Sequence, residues 1–176
     1  MGCRLKFHGY LDCEDGKMAE METTWDLPIP VNVFIENYHE ACDAKEGFYE
    51  LDLYAMGSGI KVYRTEAEYD ASDERMAPVS MIPVGTFPAD PEDKTFKESP
   101  HILFSGKVVD ALWDSEAEPG NANCCMLIET LGLSMTLYAI CDRPVEKGSI
   151  VHGLAWLYAS MPKEACGENN RIPEGE

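Results

Sequence analysis

Basic residues are scarce in this chain: 14 Lys and Arg stand against 32 Asp and Glu, for a net charge of −18. The deficit is spread along the whole length. Residues 1–100 hold 9 basic and 21 acidic side chains, residues 101–160 hold 3 and 7, and residues 161–176 hold 2 and 4. A field of one sign repels phosphate backbones and anionic headgroups, so nucleic acids and membrane surfaces are poor partners. The charge serves solubility, and it leaves a basic protein open as a partner. Long apolar runs are also missing. The longest, residues 151–159, is broken by His152 and falls far short of the ~20 residues that cross a bilayer. The opening MGCRLKFHGYLDCEDG has no apolar region of the secretory kind. The myristoylation pattern fails at Lys6, where it requires Ser or Thr.

No Cys-x-x-Cys pair occurs among Cys3, Cys13, Cys42, Cys124, Cys125, Cys141 and Cys166, so zinc-ribbon and thioredoxin-type sites lack their spacing. Adjacent Cys124 and Cys125 point to opposite faces of a strand and do not readily chelate one ion together. An odd cysteine count without a leader reads as reduced thiols in a cytoplasm. Phosphate-cradling glycine loops, nucleophile elbows, zincin helices and dinucleotide fingerprints are absent. The acidic runs around Glu14, Glu66 and Asp73 do not follow EF-hand spacing. No cofactor or metal is therefore expected. His39, Glu40 and Cys42 place a thiol near a base in sequence, but without an orienting third group they read as a polar turn with a packed cysteine.

What is present is β-structure. At 45% hydrophobic and 26% charged the chain has globular composition, and its length suits one domain. Residues 4–8 alternate over a first strand, and CEDGKMAEMETTWDLPIP reads as loop. Residues 31–38 form a clearer strand. Residues 48–55 and 60–64, flanking Gly57-Ser58-Gly59, read as a hairpin. Residues 39–47 suit a turn or two of helix, and the acidic stretch 65–75 reads as a solvated loop or short helix. Five prolines from Pro78 to Pro100 make residues 78–100 a surface connector, with a short edge strand at 79–84. Residues 101–160 are the best core builders. Ile102, Phe104, Val108 and Leu112 share one face with Gly106 at a bend, and residues 124–129 and 133–140 form a tight hairpin about Gly132. There Leu133, Met135, Leu137 and Ala139 alternate inward. Residues 150–159 make an apolar strand covered on both faces, and residues 161–176 a polar, frayed tail. The fold class is all-β and mainly antiparallel.

Two segments, FSGKV opening a long strand and KGSIVHGLAWLYA, resemble the OB-fold, a small barrel with a bent, glycine-marked first strand and a later strand entered through a Lys-Gly turn. The resemblance covers residues 101–160. It departs from the family in two ways: CDRPVEKG is too short for the usual helix, and no fifth strand follows Ala159. It therefore implies an OB-like or related small barrel elaborated by the N-terminal strands, with a strand such as 31–38 completing it. A two-sheet sandwich is the alternative. OB barrels stack bases on aromatics over a basic groove, and here only Lys107, Arg143 and Lys147 supply the charge.

Trp113, Tyr138, His152 and Trp156 are the candidate ligand-binding side chains. His152 shares a strand face with Trp156 and Tyr158, as a hydrogen-bonded core histidine or a titrating group at a pocket mouth. The leading functional expectation is a non-enzymatic module that binds a protein partner. The alternatives are a small-molecule binder or enzyme with a pocket near Trp156 and His152, lined also by Cys124 or Cys141, and, disfavoured by charge, a single-strand nucleic-acid binder. Edge strands and the aromatic-rich 150–159 segment leave a homodimer open.

Overall fold

The computed structural model describes residues 2–166. The N-terminal part forms β1 (Cys3–Cys13), β2 (Gly16–Thr23), β3 (Pro30–Ile35), the short helix α1 (Tyr38–Ala41), β4 (Gly47–Leu51), β5 (Leu53–Tyr63) and α2 (Glu66–Asp70). After it come β6 (Ser80–Ile82), β7 (His101–Trp113), β8 (Cys124–Thr130), β9 (Leu133–Ala139) and β10 (Ile150–Ala159), followed by a 3-10 turn at Lys163–Ala165. One sheet runs β4-β1-β2-β3-β10-β5-β9-β8-β7-β6, and an extra β10–β7 pairing closes part of it on itself.

That closure makes a five-stranded barrel, β7-β8-β9-β5-β10 and back to β7, rather than a two-sheet sandwich. Every neighbouring pair in it is antiparallel except β5 with β9, which run parallel. Inward Leu53, Ala55, Ile102, Phe104, Val108, Met126, Ile128, Met135, Leu137, Ala155 and Leu157 fill its core. Closure removes the unpaired edges that an open sheet of this length would present. Gly106 marks the corner of β7: residues 101–107 pair with β10, and from Lys107 onward the strand pairs with β8. A Cβ at Gly106 would sit 2.6 Å from Ile128 and 3.0 Å from the Glu129 carbonyl, so the bend needs glycine.

The closing strand is β5, not residues 31–38. Strand β3 lies outside the barrel and pairs with β10 only at Phe34↔Tyr158 and Ile35↔Ala159. Nor do residues 48–64 fold into a hairpin. Strand β4 pairs with β1, and Gly57-Ser58-Gly59 lies within β5, where a register shift opposite Gly153 absorbs the slack. The stretch after Cys13 is a strand instead of a loop: β2 returns along β1 and buries Met18, Ala19 and Met21. Together β4, β1, β2 and β3 form a layer continuous with the barrel core. A bulge between Val108 and Asp110 turns Leu112 outward, leaving it 76% exposed. Strand β10 is covered on only one face beyond Gly153, since Leu154 is exposed. Pairing with β3, β5 and β7 makes it central, so the edges open to a second copy are at β4 and β6. Met161 and Ala165, placed in the frayed tail by sequence, are buried; the rest of that tail, 167–176, lies outside the described residues.

Candidate functional site

Strand β10 carries two different environments on one face. Near its start, His152 belongs to a closed polar network. Its Nδ1 lies 2.7 Å from Ser105 Oγ, and its Nε2 lies 3.2 Å from Glu74 Oε2. Ser105 Oγ is 2.7 Å from the Tyr69 hydroxyl, which also reaches the Met76 carbonyl at 2.9 Å. Glu74 Oε1 accepts from Lys61 Nζ at 2.8 Å and from the Tyr63 hydroxyl at 2.9 Å. Burial pulls the His152 pKa below its usual value against the opposing pull of Glu74, so the ring is neutral at pH 7. Within it Ser105 donates to Nδ1 of His152 and Nε2–H to the Glu74 carboxylate, while the single hydrogen of Tyr69 is shared between the Met76 carbonyl and Ser105 Oγ.

Serine, histidine and glutamate in hydrogen-bond succession have the composition of a hydrolytic triad. The chemistry fails on access, because Ser105 has 0% exposure and no substrate reaches its oxygen. The network instead straps α2 and the loop after it across the seam of β5, β10 and β7. Arg143 adds to the strap, donating to Glu68 at 2.8 Å and to the Val62 carbonyl. Lys61 draws the Glu74 pKa downward, and Arg143 does the same to Glu68.

Further along β10 the outward face is open. Cross-strand pairing lines up Trp156, Met56, Tyr138, Cys125 and Leu112 as one row over β10, β5, β9, β8 and β7. A second row beside it contains Phe34, Tyr158, Tyr54, Thr136 and Leu127. The rings support one another: Phe34 and Trp156 centroids are 5.0 Å apart, and Tyr54 stacks on Tyr158 at 5.6 Å. Met56 is 48% exposed, so the band is apolar surface facing solvent. Burial raises the Tyr158 pKa, with nearby Glu36 adding to the shift, and the phenol stays protonated.

At the Trp156 end of the band lies a cleft of about 530 Å³, lined by Asp12, Cys13, Glu14 and Asp15 of the β1–β2 turn and by the 97–101 segment. Its wall is fixed from behind. Ser99 N donates to Gly85 O at 2.8 Å, Gly85 N donates to His101 O at 3.0 Å, and buried Asn32 reaches the Gly85 and Ser99 carbonyls. A Cβ on Gly85 would lie 2.2 Å from the Ser99 oxygen, which only glycine permits. His101 shares a hydrogen bond with Ser99 Oγ, and burial lowers its pKa.

The four side chains expected to bind a ligand are therefore not gathered together. Trp156 lines the cleft, whereas Trp113 and Tyr138 border a separate hollow of about 280 Å³ with Cys124, Cys125 and Leu112. His152 lies in the closed network. Cys124 and Cys141 hydrogen-bond each other, which lowers the pKa of the first and raises that of the second. Cys42 is exposed rather than packed. Phe34, Met56, Asn32 and Gly85 were missed. Met56 and Phe34 had a local signal, alternation with inward Leu53 and Ala55 and with inward Val33 and Ile35. Among the described residues no cluster of His, Cys, Asp and Glu has metal-binding geometry, and no helix is long and apolar enough to cross a membrane. Compared with known proteins, the chain matches no family model, no curated protein and no solved structure.

Proposed function

We propose that this protein is a non-enzymatic binding module that docks a basic protein partner on the outward aromatic band of its barrel. The observation that carries this is the unbroken row Trp156–Met56–Tyr138–Cys125–Leu112, solvent-facing across five strands. Exposed apolar surface of this continuity suits a partner's apolar side chains. The rim sets the partner's sign: Glu36 borders Tyr158, Asp110 pairs with Leu127, and Asp12, Glu14, Asp15 and Glu98 surround the Trp156 end. Lys and Arg flanking an apolar stretch complement that rim, whereas a second copy carrying −18 is repelled by it. Nucleic acid is repelled on the same ground.

The barrel itself reads as a permuted OB barrel. Taking β7, β8 and β9 as its first three strands, β10 takes the fourth place and β5 the fifth, next to the third and parallel to it. The second-and-third-strand face used by OB barrels for binding is then the β8–β9 part of the band. Against the enzyme alternative stands burial: both ring nitrogens of His152 are engaged, and its Ser105 partner is sealed from solvent.

Selection from a random peptide display library tests the reading. Enriched peptides are expected to combine aromatic or aliphatic residues with Lys and Arg. They should bind the Met56→Asp/Leu112→Asp variant at least ~10-fold more weakly than wild type, and a Phe87→Asp control equally well. No enrichment, or peptides indifferent to the band variant, would overturn it.

A further inference from the structure

Resting on that docking face, we infer that the cleft beside Trp156 is a receptor for an arginine side chain of the partner. The cleft is concave, preformed and continuous with the band, because Trp156 belongs to both. Phe34 packs on Trp156, and a Cβ at Gly16 would lie 3.1 Å from the Phe34 ring, so the turn bearing Glu14 and Asp15 is seated closely beside this aromatic pair.

The charge balance inside the cleft is unfinished. Asp12 is paired with Lys17. Among the described residues, no hydrogen bond or ion pair engages the side chains of Glu14, Asp15 or Glu98, and Lys97 is the one cation in the lining. His101, with its pKa lowered by burial, adds no positive charge at neutral pH. An anion is repelled there, and a purely apolar group would strip water from carboxylates and return nothing. A cation satisfies them. The indole selects among cations: a guanidinium is planar, weakly hydrated and able to stack on the ring while forking onto carboxylates, whereas an ammonium is a compact, strongly hydrated charge. Arginine therefore fits both walls. Residues flanking it in the partner would run along the band toward Met56 and Tyr138.

The test uses N-acetyl-arginine amide, with the lysine and norleucine amides as comparisons, and reads the indole N–H resonances of Trp25, Trp113 and Trp156 in ¹⁵N-labelled protein. The Trp156 signal, assigned with Trp156→Phe, is expected to shift saturably with the arginine amide. The lysine amide should bind about fivefold or more weakly, and the norleucine amide should leave the signal unmoved. The Glu14→Gln/Asp15→Asn/Glu98→Gln variant should lose the response, and Met56→Asp should keep it. No arginine-dependent shift, an equal shift in the triple variant, or an equal shift with norleucine amide overturns the inference. If selected peptides bind the band while the arginine amide is inert, the cleft assignment alone falls. If the amide binds and no peptide is selected, the docking face falls and the cleft stands as an arginine site in its own right.

Discussion

Two side chains on the same strand, His152 and Trp156, occupy opposite situations. Around His152 every polar atom has a partner and a helix with its loop closes the surface. Around Trp156 the barrel exterior opens to a cleft, and the Glu14, Asp15 and Glu98 carboxylates make no ion pair among the described residues. A list of reactive residue types favours the first place, which holds Ser, His, Glu, Lys and Tyr. Physical access favours the second. A saturated network buried under its own loop stabilises; a fixed but unsatisfied surface recognises.

Substitutions at the two places should separate stability from binding. The largest effect is expected from Tyr69→Ala, which empties a site only 1% exposed and removes a partner of Ser105. Urea denaturation should show a loss of about 3–5 kcal/mol, with binding by the remaining folded protein unchanged. Next, Glu74→Gln keeps the shape of the network but weakens its bonds to Lys61 and His152, for a loss of about 1–2 kcal/mol. If either substitution leaves the midpoint unmoved, the strap does not hold the fold.

Acid should act on the closed end as well. The folded-state pKa of His152 is depressed below 6.5, so below that pH the unfolded chain binds more protons. Its stabilising contribution is full above pH 6.5 and is lost as pH falls through the folded-state value. Glu74, also depressed, contributes fully above pH 4.5 and less as pH drops below it. His152→Gln should flatten the stability profile just below pH 6.5, and Glu74→Gln should flatten it below 4.5. A wild-type profile level from pH 7 to 5 would contradict this.

The smallest stability changes belong to the open end. Met56→Asp should shift stability by no more than about 0.5 kcal/mol, as surface substitutions do, yet weaken partner binding about tenfold or more. A large loss of stability there would make the band a structural face, and the contrast along β10 would collapse.

The sequence disclosed the closed and open ends unequally. Alternation from Leu133 to Ala139 revealed an inward face, and Gly106 its corner, because those signals are local. Strand β2 was hidden: Met18, Ala19 and Met21 are interleaved with charged residues and resemble a polar loop until β1 and β3 flank them. Strand β5 was split on paper by Gly57 and Gly59, whose slack is taken up opposite Gly153, far away in the chain. The cleft was illegible for the same reason, since Glu14 and Glu98 converge only through tertiary structure. Asn32, whose amide reaches the far wall, has no pattern at all.

The position of β5 has a consequence in time. It leaves the ribosome before every other barrel strand, while its neighbours β9 and β10 leave last. Until Ile150–Ala159 is synthesised the barrel has a gap between its earliest strand and β7, and a nascent chain shorter than that exposes strand edges with nothing to pair them. Closure is thus a late and non-local event, of the kind that folds slowly. A truncation just before Ile150 should yield an aggregating chain rather than a smaller folded one.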